Sequence, residues 1–214
     1  MAETIGVIDY GMGNLHSLGK ALERVASSQR VVISYDADEL RNCDKLVLPG
    51  VGGVRACMKE LRRLELNEMV IEQARKVPVL GICLGMQVLH DWSDENDGVA
   101  ALGLVPGRVL RFPDPPLEGA VRLKVPHMGW NRVHQEQPHP VWMGVPDDAW
   151  FYFVHSYHSQ PKQPRHVLGT TEYGTRFAAA VARDNVVAFQ FHPEKSQASG
   201  MTVLANFVGW DGES

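Results

Sequence analysis

Up to about residue 91, short apolar runs alternate with longer amphipathic stretches, the pattern of strands joined by crossover helices in a largely parallel sheet. Ile5-Gly6-Val7-Ile8-Asp9 predicts a strand and Leu15 to Val25 a helix. Val31 to Tyr35 predicts a second strand, and Asp36 to Leu40 a short helix capped by its aspartate. Lys45 to Leu48 gives a third strand, followed by the loop Pro49-Gly50-Val51-Gly52-Gly53 and by helical periodicity from Val54 to Arg75. The run Val77-Pro78-Val79-Leu80 opens a fourth strand that ends at Cys83, and Leu84 to His90 is helix-like.

Beyond residue 103 the texture changes to β-branched and aromatic runs broken by Pro and Gly. Gly107 to Phe112, Val121 to Val125, Trp130 to His134 and Trp150 to Val154 predict antiparallel strands. Phe177 to Val181 and Val186 to Phe191 flank the turn-forming Ala182-Arg183-Asp184-Asn185 and predict a hairpin. A helix from about Ser196 to Val208 closes the chain, with Trp210 and the residues after it expected to fray. The expectation is an α/β fold: a mostly parallel central sheet flanked by helices, with an antiparallel β-rich second half, in one domain spanning 1–214.

The chain has 214 residues, 44% hydrophobic and 21% charged, enough for one well-buried core. A formal net charge of -4 gives no basic footprint, so nucleic acid is not an expected partner. No apolar run approaches the roughly 20 residues that span a bilayer, so no membrane is expected either. Three cysteines, Cys43, Cys57 and Cys83, are odd in number and widely spaced. They fit a reducing compartment better than a disulfide framework, and the expected location is cytoplasmic.

Chemistry enters with Gly81-Ile82-Cys83-Leu84-Gly85-Met86-Gln87. Glycines two residues before and two after Cys83 allow a sharp strand-to-helix elbow that would leave the sulfur exposed over a helix start. His192-Pro193-Glu194 follows the apolar strand Val186 to Phe191. Proline holds this segment extended, so the side chains at i and i+2 fall on one side and His192 and Glu194 can meet. Cys83, His192 and Glu194 would then form a nucleophile, base and orienter for acyl transfer. The tetrahedral oxyanion of such a reaction needs backbone N–H donors. The Gly50 to Gly53 loop, at the same carboxyl edge of the sheet, can supply them, with the Leu84 N–H as second donor.

A cysteine in a G-x-C-x-G setting can be a small buried hydrophobe, and Cys43 and Cys57 are expected to be structural. Gly11-Met12-Gly13-Asn14-Leu15-His16 after the first strand, with Asp36 after the second, partly matches a dinucleotide loop. The third glycine is missing, with His16 in its place, so no nicotinamide and no other cofactor is expected. His155 and His158 would diverge along a strand-to-loop stretch and lack neighbouring acids or cysteines, so no metal is expected. Trp150 to Phe153 is read as strand packing.

Gly-Ile-Cys-Leu-Gly-Met-Gln together with His-Pro-Glu resembles the class I (triad) glutamine amidotransferases, which hydrolyse glutamine through a γ-glutamyl thioester and pass ammonia on. Five further blocks are similar to one branch, the glutaminase subunits of imidazole glycerol phosphate synthase: Asp9-Tyr10-Gly11-Met12-Gly13-Asn14, Pro49-Gly50-Val51-Gly52, Pro126-His127-Met128-Gly129-Trp130-Asn131, Phe151 to Tyr157, and Gln190 to Ser196. The resemblance implies Cys83 as nucleophile, His192 as base and Glu194 as its orienter. It implies Val51, Gly52 and Leu84 as oxyanion donors, with a Val51–Gly52 strand that reorients before the site is competent. Gln87, Ser156 and Tyr157 would contact L-glutamine, and Asn14 and Lys195 would lie at the interface with a partner. That partner would be the (β/α)8 cyclase subunit, in a heterodimer serving histidine biosynthesis. One departure is Gln197, where a second serine is common. The rivals are a glutaminase subunit for anthranilate, aminodeoxychorismate, guanylate or pyridoxal phosphate synthesis, a stand-alone cysteine hydrolase, and a catalytically silent binding module.

Overall fold

The computed structural model describes residues 2–113, 117–118 and 121–213. Strands β1 (Thr4–Ile8), β2 (Arg30–Ser34), β3 (Lys45–Leu48) and β4 (Val79–Ile82) and helices α1 (Leu15–Val25) and α2 (Ala37–Arg41) fall within two residues of the expected bounds. β1 pairs in parallel with β2 and β3, and β3 with β4. Helices on both faces bury such strands, which is why every residue of β3 and β4 is buried. The side chains that had suggested a dinucleotide loop are occupied as helix caps. Asn14 accepts from Ser17 N at 3.4 Å, and Asp36 accepts from Asp38 N and Glu39 N at 2.8 and 3.1 Å.

The helix expected over Val54 to Arg75 is two, α3 (Val54–Arg63) and α4 (Leu66–Gln73), broken where Glu65 takes φ 57°. Leu61 and Leu66 are both fully buried. Five residues apart on one straight helix they would point about 140° away from each other, so the break restores a single apolar face. The helix after Cys83 is also shorter than expected: α5 is Leu84–Gln87, and tight turns carry the chain on through His90.

The second half supplies β5 (Trp92–Ser93), β6 (Val99–Ala100), β7 (Gly107–Arg111), β8 (Leu117–Glu118), β9 (Val121–Arg122), β10 (His127–Gln135), β11 (Ala149–His155), β12 (Tyr157–Pro161), β13 (Val167–Glu172), β14 (Arg176–Arg183), β15 (Val186–Phe189) and α6 (Gln197–Gly209). The expected Val121 to Val125 strand shrinks to β9, paired only with β8 in a separate ribbon. β5, β6, β8, β12 and β13 were not anticipated.

The main sheet runs β2-β1-β3-β4-β15-β14-β12-β7-β5-β6, while β10 pairs with β11 and with β13. The decisive step is the β14–β15 hairpin. Its second strand inserts parallel to β4, Ile82 opposite Phe189, and Cys83 N–H donates to the Phe189 carbonyl at 2.7 Å. Two parallel neighbours therefore end side by side, one leading into Cys83 and the other into His192.

Alternation along the strands divides the core. Ile5, Val7, Leu80, Ile82, Val187 and Phe189 join the cluster containing the α1 and α6 side chains Leu18, Leu22, Leu204 and Phe207, whereas Leu46, Leu48, Val79, Val186 and Ala188 join that of α3 and α4. Trp210, expected to fray, is 3% exposed and its indole donates to the Glu213 carbonyl at 2.5 Å. The apolar ring keeps the first residue past α6 in the core. Ser214 lies outside the described residues.

Candidate active site

Cys83 sits at φ 54°, ψ -108°, left-handed backbone that a side chain adopts only where its surroundings enforce it. The flanking glycines provide the space. A Cβ on Gly81 would come within 2.8 Å of Leu89 Cδ1, and one on Gly85 within 1.8 Å of the Leu48 carbonyl oxygen. The elbow therefore passes against β3 at contact distance and turns Cys83 toward a cleft of about 580 Å3.

On the neighbouring strand exit, Phe191 is fully buried and stacks on Phe151 and Phe189, with ring centroids 4.0 and 4.8 Å apart. Gln190 and His192, one residue to either side, thereby share the face toward Cys83. The His192 backbone is tied to β11, its N–H donating to Tyr152 O at 2.9 Å. Ser196 Oγ donates to His192 O at 2.7 Å and accepts from Tyr152 N at 2.9 Å.

His192 Nδ1 and Glu194 Oε1 are 2.9 Å apart with both side chains almost fully enclosed. The pair meets by a different route from the one expected. Pro193–Lys195 is a turn of 3-10 helix, not an extended segment. The turn folds Glu194 back under the ring, where simple alternation would have set the two side by side.

His192 is pushed up from its ordinary 6.5 to about 9. Burial works to lower it, and the neighbouring Cys83 sulfur and Glu194 carboxylate outweigh that effect. Its Nε2 has no hydrogen bond of normal geometry among the described residues, so Cys83 acts on the ring by proximity. The nearby His127 and His155 behave oppositely, held down to about 4 and about 3 by burial. Near neutrality His192 is the one charged imidazole among these three.

Cys83 is 7% exposed. Its sulfur faces the Val154 carbonyl at 3.9 Å and accepts from Gln190 Nε2 at 3.8 Å. Gln87 Nε2 donates to Tyr157 O and to Gln190 Oε1, both at 3.0 Å. Among the described residues no hydrogen bond uses its Oε1. Ser156 and Tyr157 line the same cleft, as do Val51, Gly52 and Leu84. No hydrogen bond among the described residues uses the backbone N–H of those last three. Asn14 and Lys195 lie outside the cleft. Asn14 is exposed at the start of α1, and the exposed Lys195 ammonium sits 5.8 Å over the Tyr152 ring.

Some residues around the site carried no assignment from sequence. Gln190 is fully buried beneath the cleft, and only the pairing of β15 with β4 brings it to Cys83. Glu95 accepts from Val54 N at 2.7 Å and lines the cleft against the end of the glycine loop, a contact across 41 residues that no local pattern signals. His155 and His158 are both buried. Both pack on Phe112, ring centroids 5.2 and 4.9 Å away, and His155 bonds His127 Nδ1 at 2.9 Å and Tyr157 O at 2.8 Å.

A thiol on a strained elbow, a carboxylate-held imidazole and uncommitted amides around one cleft define a cysteine acyl-transfer geometry, and this chain belongs to the class-I glutamine amidotransferase family, which matches residues 6–209. Within the family it is 53% identical, over 97% of both chains, to imidazole glycerol phosphate synthase subunit HisH of Methylococcus capsulatus. It is also 53% identical, over 99% of both, to subunit HisH 1 of Pseudomonas aeruginosa. The fold is similar to that of PurLQS from Thermotoga maritima, with a TM-score of 0.73 at 17% identity over 98% of this chain and 99% of that one.

Proposed function

We propose that this chain is the glutaminase subunit of an imidazole glycerol phosphate synthase, hydrolysing L-glutamine to glutamate and ammonia and passing the ammonia to a cyclase subunit. The single observation that carries the chemistry is the pairing of β15 with β4, which sets Cys83 beside a His192 already held by Glu194. The relatives' printed names support the pathway. Residues 1–214 are taken as one glutaminase domain.

In this reading the Cys83 thiolate attacks the side-chain carbonyl carbon of glutamine, and the carbonyl π pair moves to oxygen. The N–H groups of Val51, Gly52 and Leu84 hold that oxyanion. The His192 imidazolium gives its proton to the amide nitrogen, the C–N bond breaks and ammonia leaves. The neutral ring then takes a proton from water, whose oxygen attacks the thioester, and collapse returns glutamate, thiolate and imidazolium. Glu194 fixes the ring so that Nε2 works. Gln87 Oε1, together with Ser156 and Tyr157, receives the amino-acid end of the substrate.

This cycle needs the imidazolium at its first step, so glutaminase kcat/KM falls as pH rises through about 9, where His192 loses its proton. Glu194 is one of the groups raising that value, so Glu194→Gln moves the alkaline fall to lower pH as well as slowing the reaction. A pH–rate profile of both proteins checks this; an alkaline limb that stays in place contradicts the role given to Glu194.

β10 and β11 support a location for the partner face. On one side of this hairpin Met128 (62% exposed) and Trp130 (42%) face outward beside Tyr152, whose ring meets Trp130 edge-on at 6.0 Å and carries Lys195 above it. Exposed apolar residues next to a cleft are the usual sign of a docking surface. We assign this face to the cyclase subunit, and, from the resemblance, the exposed Asn14 to the same interface. Glutaminase turnover measured with and without that subunit and its nucleotide ligand tests the assignment. Stimulation by both together is expected, and its absence would remove the synthase assignment while leaving the glutaminase one standing.

A further inference from the structure

The loop Pro49–Gly53 is held from outside at both ends. At its start, the Tyr10 hydroxyl donates to the Pro49 carbonyl at 2.8 Å. Tyr10 is 1% exposed and follows β1, so its ring cannot leave without opening the core. The phenol reaches under the loop itself, because a Cβ on Gly50 would lie 2.4 Å from the Tyr10 oxygen. At the other end Val54 N is held by Glu95, and Arg55 donates to the carbonyls of Asn96 and Gly98. Between these anchors the Val51 and Gly52 N–H groups have no hydrogen bond among the described residues. The loop is therefore pinned at its ends and uncommitted in its middle.

We propose that Tyr10 is a positioning residue for the oxyanion donors: its hydroxyl fixes Pro49, and through Pro49 the direction in which the Val51 and Gly52 amides point. The inference rests on the reading of Val51 and Gly52 as those donors. Tyr10 acts through the loop and has no contact with substrate in this role. Burial, reinforced by Cys57 and Cys83 nearby, drives its phenol well above the ordinary range, so it remains a donor at any working pH. Removing the oxygen leaves a buried carbonyl without a partner, and the loop shifts to find one. Donors to a transition state lose most of their effect on small displacements, since a 1 Å misplacement can cost about a hundredfold in rate.

The test is Tyr10→Phe, which keeps the ring and deletes the oxygen, assayed as the full chain in complex with the cyclase subunit. A fall in kcat of about tenfold at unchanged KM is expected, because the oxyanion exists only after attack. Alkylation of Cys83 by iodoacetamide, which forms no oxyanion, proceeds at the unaltered rate. Gly52→Ala runs alongside, since Gly52 has φ +94° and a Cβ there would lie 2.9 Å from Met12 Cε. If Gly52→Ala loses kcat and Tyr10→Phe does not, the Tyr10 proposal is overturned and the site reading stands. If neither loses kcat, the reading of the loop falls and the proposal with it. If alkylation slows in parallel with kcat, or KM rises at constant kcat, Tyr10 is a general structural support and the proposal is also overturned.

Discussion

Cys83→Ala is expected to lower glutamine hydrolysis by about 10^4-fold or more, the scale on which removing a covalent nucleophile acts, while the chain stays folded. No other thiol can take over. Cys43 and Cys57 are 4% and 0% exposed, and neither lines the cleft. Burial also pushes the Cys57 thiol up to about 12, keeping it protonated and unreactive. The substitution deletes one sulfur whose hydrogen-bonding contacts among the described residues are long, 3.8 and 3.9 Å, so little stability goes with it. Ammonia release together with a thermal unfolding curve checks both halves. Residual turnover near the parent rate would remove Cys83 from the chemistry.

Gly85→Ala is expected to be worse for the protein as a whole, because it prevents folding instead of turnover. The new methyl carbon would lie 1.8 Å from the Leu48 carbonyl oxygen and 2.9 Å from its carbon. Those atoms belong to β3, hydrogen-bonded on both sides inside the parallel sheet, so neither partner can retreat. A steric conflict of this kind lies in the tail of mutational effects, about 4 kcal/mol or more, against a total stability of about 5–15 kcal/mol. The soluble yield should collapse, or denaturant midpoints fall steeply. Gly209→Ala, at the end of α6 with nothing within 4 Å of the added carbon, is the matched control and is expected to be close to neutral. Equal stability of the two variants would contradict the elbow geometry.

β1, β3 and β4 were legible because they lie inside the sheet and read as apolar runs, and the edge strand β2 was legible from Val31-Val32-Ile33 even though Ile33 is 45% exposed. The elbow was legible for a related reason: close backbone approach at Gly81 and Gly85 excludes every side chain, and that exclusion is visible as two glycines at fixed spacing. β12 was not legible, since Tyr157-His158-Ser159-Gln160-Pro161 alternates nothing apolar. It is a strand because β7 and β14 pair with it, and Ser159 is 1% exposed as a result. His192 and Glu194 were paired correctly for an incorrect local reason. The 3-10 turn depends on Ser196 and on β11, which hold the turn from a distance. Glu95 and Tyr10 escaped notice because their partners lie 41 and 39 residues away, across loops whose closure only the folded sheet defines.

On the proposed route glutamine leaves its γ-glutamyl group on Cys83 as a thioester. The direct measurement is acid quench of the complex during turnover with glutamine, followed by intact-mass analysis and peptide mapping. One γ-glutamyl group per chain is expected, on the peptide carrying Gly81 to Gln87 and absent from Cys83→Ala. Ammonia release at the normal rate with no adduct, or an adduct mapped to Cys43 or Cys57, would contradict it.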